Sequence, residues 1–220
     1  MPAASAPADR AGPMLEAIDL ACMRGDALLF RQLSFAVEAG EVLWIEGANG
    51  TGKTSLLRIL AGLSPPERGE VRWRGQGLSR GRDALRADVL YLGHLNALKD
   101  DLTVVENLRF HAAIAGYPAD AGAIDEAVSA VGLESRRDLP VRVLSQGQRR
   151  RAALARLWVA QSRPFWILDE PFAALDVTSV DRLSDRLAAH VGAGGIAVLT
   201  THQEVALPAG RTRRLRLDAP

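Results

Sequence analysis

The stretch that decides the fold is Gly47-Ala48-Asn49-Gly50-Thr51-Gly52-Lys53-Thr54, which fits the pattern G-x-x-x-x-G-K-[ST] at every fixed position. In this pattern, glycines turn successive backbone N–H groups toward one point, the lysine reaches the β- and γ-phosphates, and the threonine hydroxyl holds Mg²⁺. Apolar residues 42–45 predict a buried strand before it, and residues 55–61 predict a helix that ends at Gly62. We therefore expect all eight residues to bind a nucleotide triphosphate, with Lys53 also acting in catalysis.

Length and composition restrict the class of protein. The chain has 220 residues, 48% of them hydrophobic, which is enough for one sizeable core. Its formal net charge of +1 gives no reason to expect a nucleic-acid partner. No apolar run approaches the roughly 18 residues of a membrane span, and residues 1–13 are typical of a flexible tail, so we expect a cytoplasmic protein. Cys22 is the single cysteine, which excludes an internal disulfide.

Two short basic clusters leave two interpretations open. Residues 149–151 are all arginine at the start of a predicted helix, and residues 211–217 alternate like a half-exposed final strand. Each cluster is either a solvated face or a contact with an acidic membrane surface or partner.

The predicted elements indicate an α/β protein with a helical insertion. Thr103 and Glu106 have the spacing of a capping box, and a second helix is predicted to end at Gly132. We divide the single domain, residues 14–220, into a catalytic core and a helical subdomain. The core comprises residues 14–93 and 144–220, and the helical subdomain residues 94–143. Strands are predicted at 14–37, 70–75, 89–92, 165–168 and 196–199. The second helix of the insertion is predicted at 123–131, and a later helix at 179–191.

Two acidic residues follow one of the buried strands. Asp169 and Glu170 come directly after apolar residues 165–168, at the carboxyl end of a predicted parallel strand, where α/β sheets bind ligands. Asp169 is expected to hold Mg²⁺ through water, and Glu170 to polarise the attacking water. A solvated turn would explain the two acids alone; downstream of a phosphate loop they are the expected second half of the site.

A pentapeptide at residues 144–148, Leu-Ser-Gln-Gly-Gln, precedes another predicted helix. Ser145 can cap that helix, whose exposed N–H groups and dipole would then face an anion. Local physics alone fits a plain capped helix equally well.

Together with the phosphate loop, Leu168-Asp169-Glu170-Pro171, Ala174-Leu175-Asp176 and Thr200-Thr201-His202, this pentapeptide resembles the signature of ATP-binding cassette (ABC) ATPases. The resemblance extends from about Met14 to the end of the sequence. It implies an α/β P-loop NTPase of the ABC type, with a mixed sheet core, an N-terminal antiparallel β-subdomain and the inserted helical subdomain. ATP and Mg²⁺ are the implied ligands.

The resemblance also implies a partner. In this family two cassettes sandwich two ATP molecules, so a chain with one loop and one signature is expected to pair with a second copy of itself. Ser145, Gly147 and Gln148 would then close the partner's site, and Asp176 would lie at the dimer seam. His202 would contact the γ-phosphate as a catalytic sensor of hydrolysis.

Two positions depart from the usual family pattern. His94 stands where most cassettes carry a glutamine that senses Mg²⁺ and the transporter, and a histidine there would add a pH dependence near neutrality. Arg24 stands where an aromatic residue usually stacks on adenine. A guanidinium can also stack on a base, although a solvated loop arginine remains an equal alternative. Both residues are counted as expected nucleotide contacts.

Four segments narrow the resemblance to one subgroup of the family, the ATP-binding subunit of the cytochrome c biogenesis, or haem exporter, type. They are the phosphate loop, Tyr91-Leu92-Gly93-His94, Glu106-Asn107-Leu108 and Thr201-His202-Gln203. This implies a peripheral ATPase on the cytoplasmic face of the bacterial inner membrane, bound to integral permease subunits of cytochrome c maturation. The scattered histidines form no haem ligand set, so no direct haem binding is predicted. The alternatives are the ATPase of an exporter of lipids, peptides or drugs, and a soluble non-transport cassette.

Overall fold

The computed structural model describes residues 12–117, 119–160, 162–208 and 210–218. The predicted tail lies outside them, apart from Gly12 and Pro13. The strands are β1 (Leu15–Arg24), β2 (Ala27–Val37), β3 (Val42–Glu46), β4 (Arg68–Trp73), β5 (Gln76–Gly77), β6 (Val89–Leu92), β7 (Phe165–Asp169), β8 (Ile196–Thr200) and β9 (Thr212–Arg216). The helices are α1 (Lys53–Leu60), α2 (Leu78–Asp88), α3 (Val104–Ala115), α4 (Ala121–Ala130), α5 (Gln146–Leu154), α6 (Arg156–Val159) and α7 (Val177–Gly192).

A five-stranded parallel sheet forms the centre of the molecule, in the order β6-β7-β8-β3-β9. Residues 42–45 of β3 are buried, because strands covered on both faces need continuous apolar sequence. Since all strands run the same way, the segments after β3, β6, β7 and β8 leave the same edge of the sheet. This edge therefore gathers the phosphate loop, His94, Glu170 and His202.

A second sheet, with the order β2-β1-β4-β5, is antiparallel throughout. It shares an apolar core with the parallel sheet, and Trp73 of β4 stacks on Phe165 of β7 with ring centroids 5.1 Å apart. The predicted α/β fold with an antiparallel N-terminal portion is thus confirmed. Its parallel and antiparallel strands belong to two packed sheets.

The inserted helices have a core of their own. Val104 and Leu108 of α3 pack with Ile124 and Val128 of α4, and Ala152 of α5 joins the same cluster. The predicted capping box is confirmed: the Glu106 amide donates to Thr103 Oγ1 (3.2 Å), and the Thr103 amide donates to Glu106 Oε2 (2.8 Å). Within the described residues, no helix has the length and apolar character needed to span a membrane.

Candidate functional site

The phosphate loop connects β3 to α1, and its backbone requires glycine at the first position. Gly47 has φ 152°, and a Cβ there would lie 2.4 Å from the carbonyl oxygen of Leu217. Gly52 has φ 97°, and α1 begins at the next residue. The loop thus ends at the N-terminus of a helix, where backbone N–H groups are free to bind an anion.

Lys53 lies folded over this loop. Its Nζ donates to the carbonyl oxygens of Gly47 (2.7 Å) and Ala48 (3.0 Å). Thr51 Oγ1 donates to the same Ala48 carbonyl at 3.0 Å, so its hydroxyl supports the loop from within. The lysine ammonium is therefore held beside the helix N-terminus at which a phosphate would lie.

Three oxygen-bearing side chains meet at the carboxyl end of β7. Thr54 Oγ1 donates to Asp169 Oδ2 (2.9 Å), and Thr200 Oγ1 donates to Asp169 Oδ1 (2.8 Å). Asp169 is only 2% exposed, so both hydroxyls fix its carboxylate. Hydroxyl and carboxylate oxygens suit a hard cation such as Mg²⁺, and the donor set at Thr54 and Asp169 fits the expected metal.

Glu170 and His202 lie against one another. The His202 amide donates to Glu170 Oε2 at 3.2 Å, and His202 Nε2 lies 3.5 Å from Glu170 Oε1. The Glu170 amide donates to Thr200 Oγ1 at 3.1 Å. Glu170 also has φ 49°, a left-handed conformation that costs energy in any residue but glycine and is often found at functional sites.

These groups surround a cavity of about 320 Å³. Charged and polar side chains, among them Lys53, Asp169 and Glu170, share its walls with apolar surface. Gly47, Ala48 and Thr51 are not among the lining residues, and Leu29 and Ser55 join the wall without having been predicted. The lining residues are Arg24, Leu29, Asn49, Gly50, Gly52, Lys53, Thr54, Ser55, His94, Asp169, Glu170 and His202.

The signature residues do not line this cavity. Ser145 caps α5 as predicted: its Oγ accepts from the Gln148 amide (3.3 Å), while Gln148 Oε1 accepts from the Ser145 amide (2.9 Å). At Gly147, a Cβ would lie 3.0 Å from the carbonyl oxygen of Ala174. Their closure of a partner's site stays a prediction.

Asp176 is likewise outside the cavity. It caps α7, with Oδ1 accepting from the Ser179 amide at 2.8 Å. Hydrogen bonding from Ser179 holds the pKa of the Asp176 carboxyl below its usual value. The location of Asp176 at a dimer seam stays a prediction, which rests on the family resemblance.

The first basic cluster contradicts the solvated-face interpretation at its middle residue. Arg150 is only 5% exposed, and its guanidinium donates inward to main-chain carbonyls, whereas Arg149 forms an ion pair with Asp100 at 3.1 Å. Helix α5 lies between the helical insertion and the sheet edge, so its polar face points partly at loops rather than water. The second cluster agrees with the predicted half-exposed strand, since β9 is an edge strand.

The loop, the acids after β7 and the histidine after β8 define a nucleotide-binding ATPase of the ABC class. The family model described as ABC transporter matches residues 30–173. One solved chain titled "Structure of ATP binding subunit of ABC transporter" superposes with a TM-score of 0.76 at 26% identity, covering 86% of this chain and 79% of that one. Another, the post-hydrolysis dimer of the cassette MJ0796 bound to ADP and Pi, has a TM-score of 0.76 at 24% identity, covering 86% and 88%.

Curated relatives narrow the class. The "Cytochrome c biogenesis ATP-binding export protein CcmA" of Dechloromonas aromatica (strain RCB) is 53% identical over 204 residues, which is 93% of this chain and 100% of that protein. The protein of the same name from Vibrio cholerae is 46% identical over 207 residues, covering 94% and 100%. The chain belongs to this CcmA family of ABC ATPases.

Proposed function

We propose that the chain is the ATP-binding and ATP-hydrolysing subunit of a membrane transporter complex that energises haem handling or export during cytochrome c maturation. The observation that carries the enzymatic part is the meeting of Lys53, Thr54 and Glu170 around one cavity. The cytochrome c part is supported by the names of relatives that match along nearly the whole chain.

Lys53 and Glu170 divide the chemistry between them. Phosphoryl transfer depends on positioning and charge stabilisation rather than on covalent catalysis. On nucleotide entry, Lys53 exchanges the carbonyls of Gly47 and Ala48 for the β- and γ-phosphates. Glu170 accepts a hydrogen bond from the attacking water and aligns it. Thr54 and Asp169 would hold Mg²⁺, which when bound offsets phosphate charge.

The proposed dimer follows from the separation of the two half-sites. Ser145 and Gly147 lie outside the cavity of their own chain, and they would close the cavity of a second copy. A solved cassette of the same fold forms a dimer bound to ADP and Pi, and this likeness in fold supports the proposed pairing.

The proposed location is the cytoplasmic face of the inner membrane, where the dimer binds integral permease subunits. ATP binding closes the dimer and hydrolysis reopens it, which moves the membrane partner. Direct haem binding is not part of the proposal: His190 is buried against Trp166, and His111 Nε2 is 2.9 Å from the Ala97 carbonyl oxygen.

Replacement of Lys53 tests the proposal. We expect Lys53→Ala to abolish ATP turnover by the purified protein and to leave a deletion strain without covalently attached haem in its c-type cytochromes. The matched control is Lys99→Ala, because Lys99 lies over the Phe110 ring and outside the cavity. Normal cytochrome maturation in the deletion strain without any copy of the gene would assign the ATPase to another exporter.

A further inference from the structure

Arg150 has a buried side chain in an otherwise polar stretch of α5. It is 5% exposed, and within the described residues it forms no ion pair at salt-bridge distance. Burying a guanidinium is costly unless its N–H groups are well used. Its hydrogen bonds therefore identify what the charge is there to hold.

One end of the guanidinium forms hydrogen bonds with the backbone on both sides of the Glu170 Cα. Nη2 donates to the carbonyl oxygens of Asp169 (2.9 Å) and Glu170 (2.6 Å), which flank the Glu170 Cα. On the other side, the Glu170 amide donates to Thr200 Oγ1. A left-handed residue other than glycine persists only where its surroundings restrain it, and these contacts provide that restraint at Glu170.

The other end holds the loop that follows β6. Nη1 donates to Asn96 Oδ1 (3.0 Å) and to the carbonyl oxygen of Gly93 (3.4 Å). These two residues flank His94, which lines the cavity, and Leu95, which is 81% exposed. The guanidinium is a rigid planar fork, so a shift of this loop changes the donor geometry at Glu170.

We propose that Arg150 is a positioning residue: it fixes the backbone of Glu170 and links that backbone to the loop of residues 93–96. The inference rests on the proposed ATPase function and deepens it. Arg150 touches neither the cavity nor the reacting atoms, so it acts through Glu170. Its loss should lower the rate of the chemical step and leave nucleotide binding nearly unchanged.

The test compares Arg150→Met and Arg150→Lys in the full chain, with Arg149→Met as the control. We measure kcat with Mg²⁺ and the Kd for ATP without Mg²⁺. Arg150→Met is expected to lower kcat by at least about tenfold with the Kd changed by less than about threefold. Arg150→Lys should recover part of the loss, because an ammonium can replace some of the four hydrogen bonds. Arg149→Met should stay within about twofold of the original rate.

Asn96→Ala tests the link itself. It removes one loop contact and leaves both Glu170 contacts, so we expect a fall in kcat of about threefold. Because both residues act through one guanidinium, Arg150→Met with Asn96→Ala should be no slower than Arg150→Met alone. Additive losses would refute the link.

Three further outcomes separate this inference from the proposed function. If Arg150→Met fails to fold, Arg150→Lys and Asn96→Ala decide, and the original kcat in both would overturn it. An original protein that hydrolyses ATP beside an equally active Arg150→Met would reject this inference alone. A lack of turnover in the original protein would reject the proposed function instead.

Discussion

The main-chain amide of His202 donates a hydrogen bond to Glu170 Oε2 at 3.2 Å, and the ring Nε2 of the same histidine lies 3.5 Å from Oε1. Both contacts come from the segment that follows β8, and they hold the Glu170 carboxylate in place before the attacking water binds. The residue expected to sense the γ-phosphate is therefore in direct contact with the residue proposed to align the attacking water.

Glu170→Gln is expected to reduce ATP turnover by at least about a hundredfold, because a neutral amide polarises the attacking water far less than a carboxylate does. ATP binding and ATP-driven pairing should persist, since the substitution keeps the side-chain shape. Single-turnover hydrolysis and size-exclusion chromatography with ATP measure the two properties. Glu126→Gln, on the exposed face of α4, is the matched control. Unchanged turnover in the Glu170 variant would remove this residue from the mechanism.

Mixing two inactive variants tests the composite site. Ser145→Arg should block the partner's cavity, and Lys53→Ala should disable the chain's own. A mixed dimer has one cavity in which an intact Lys53 faces an intact Ser145. Random pairing of equal amounts yields about half mixed dimers, so we expect about a quarter of the original rate to return. If both half-sites belonged to one chain, mixing would restore nothing.

Removal of the Thr54 hydroxyl should act on the metal requirement. Thr54→Val takes away an oxygen ligand and a hydrogen bond to Asp169. We expect the half-saturating Mg²⁺ concentration for turnover to rise at least about tenfold. ATP binding measured in EDTA should change little. Thr54→Ser, which restores the hydroxyl, should reverse most of the shift; an equal Mg²⁺ dependence in all three proteins would contradict the assignment.

His190 should make the fold sensitive to acid. It is 5% exposed, stacks on Trp166, and its Nε2 lies 3.1 Å from the Ile196 carbonyl oxygen. Burial lowers its pKa from 6.5 to about 4. Below pH 6.5 the unfolded chain therefore binds a proton that the folded chain does not, and stability falls with pH until about 4.

The expected size of this effect is about 3 kcal/mol in the free energy of unfolding between pH 7 and pH 4. Urea unfolding across that range measures it. His190→Gln is the matched variant, since glutamine does not titrate and should flatten this part of the profile. His111, whose pKa burial also lowers to about 4, leaves a residual slope in both proteins. Parallel profiles would show that the pKa of His190 is not lowered in the folded protein.

Local sequence sufficed where burial is periodic or continuous. Apolar runs predicted β3, β6, β7 and β8 closely, because a central parallel strand is buried on both faces. Helix α2 escaped prediction, since only Gly81 and Leu85 are buried in its eleven residues and little apolar periodicity remains.

The remaining site contacts depend on packing between distant segments. Thr200 reaches Asp169 because β7 and β8 pair in a register that sets these two residues opposite one another. Arg150 belongs to a run of three arginines, whose local pattern indicates exposure. Its burial follows from the placement of α5 over two loops that begin at Gly93 and Glu170. Neither relation can be read from the spacing of the residues alone.

The strand before the phosphate loop acquires its neighbours late in synthesis. β3 ends at Glu46, yet the strands on its two sides begin at Ile196 and Thr212, and Gly47 packs against Leu217. On the ribosome, the loop emerges long before the strands that hold it in shape. The nascent chain should therefore acquire nucleotide affinity only once most of its length has been translated. Pairing β3 with β8 and β9 closes a long segment of chain, which makes it a slow step. Until it is complete, the apolar residues of β3 need protection from aggregation.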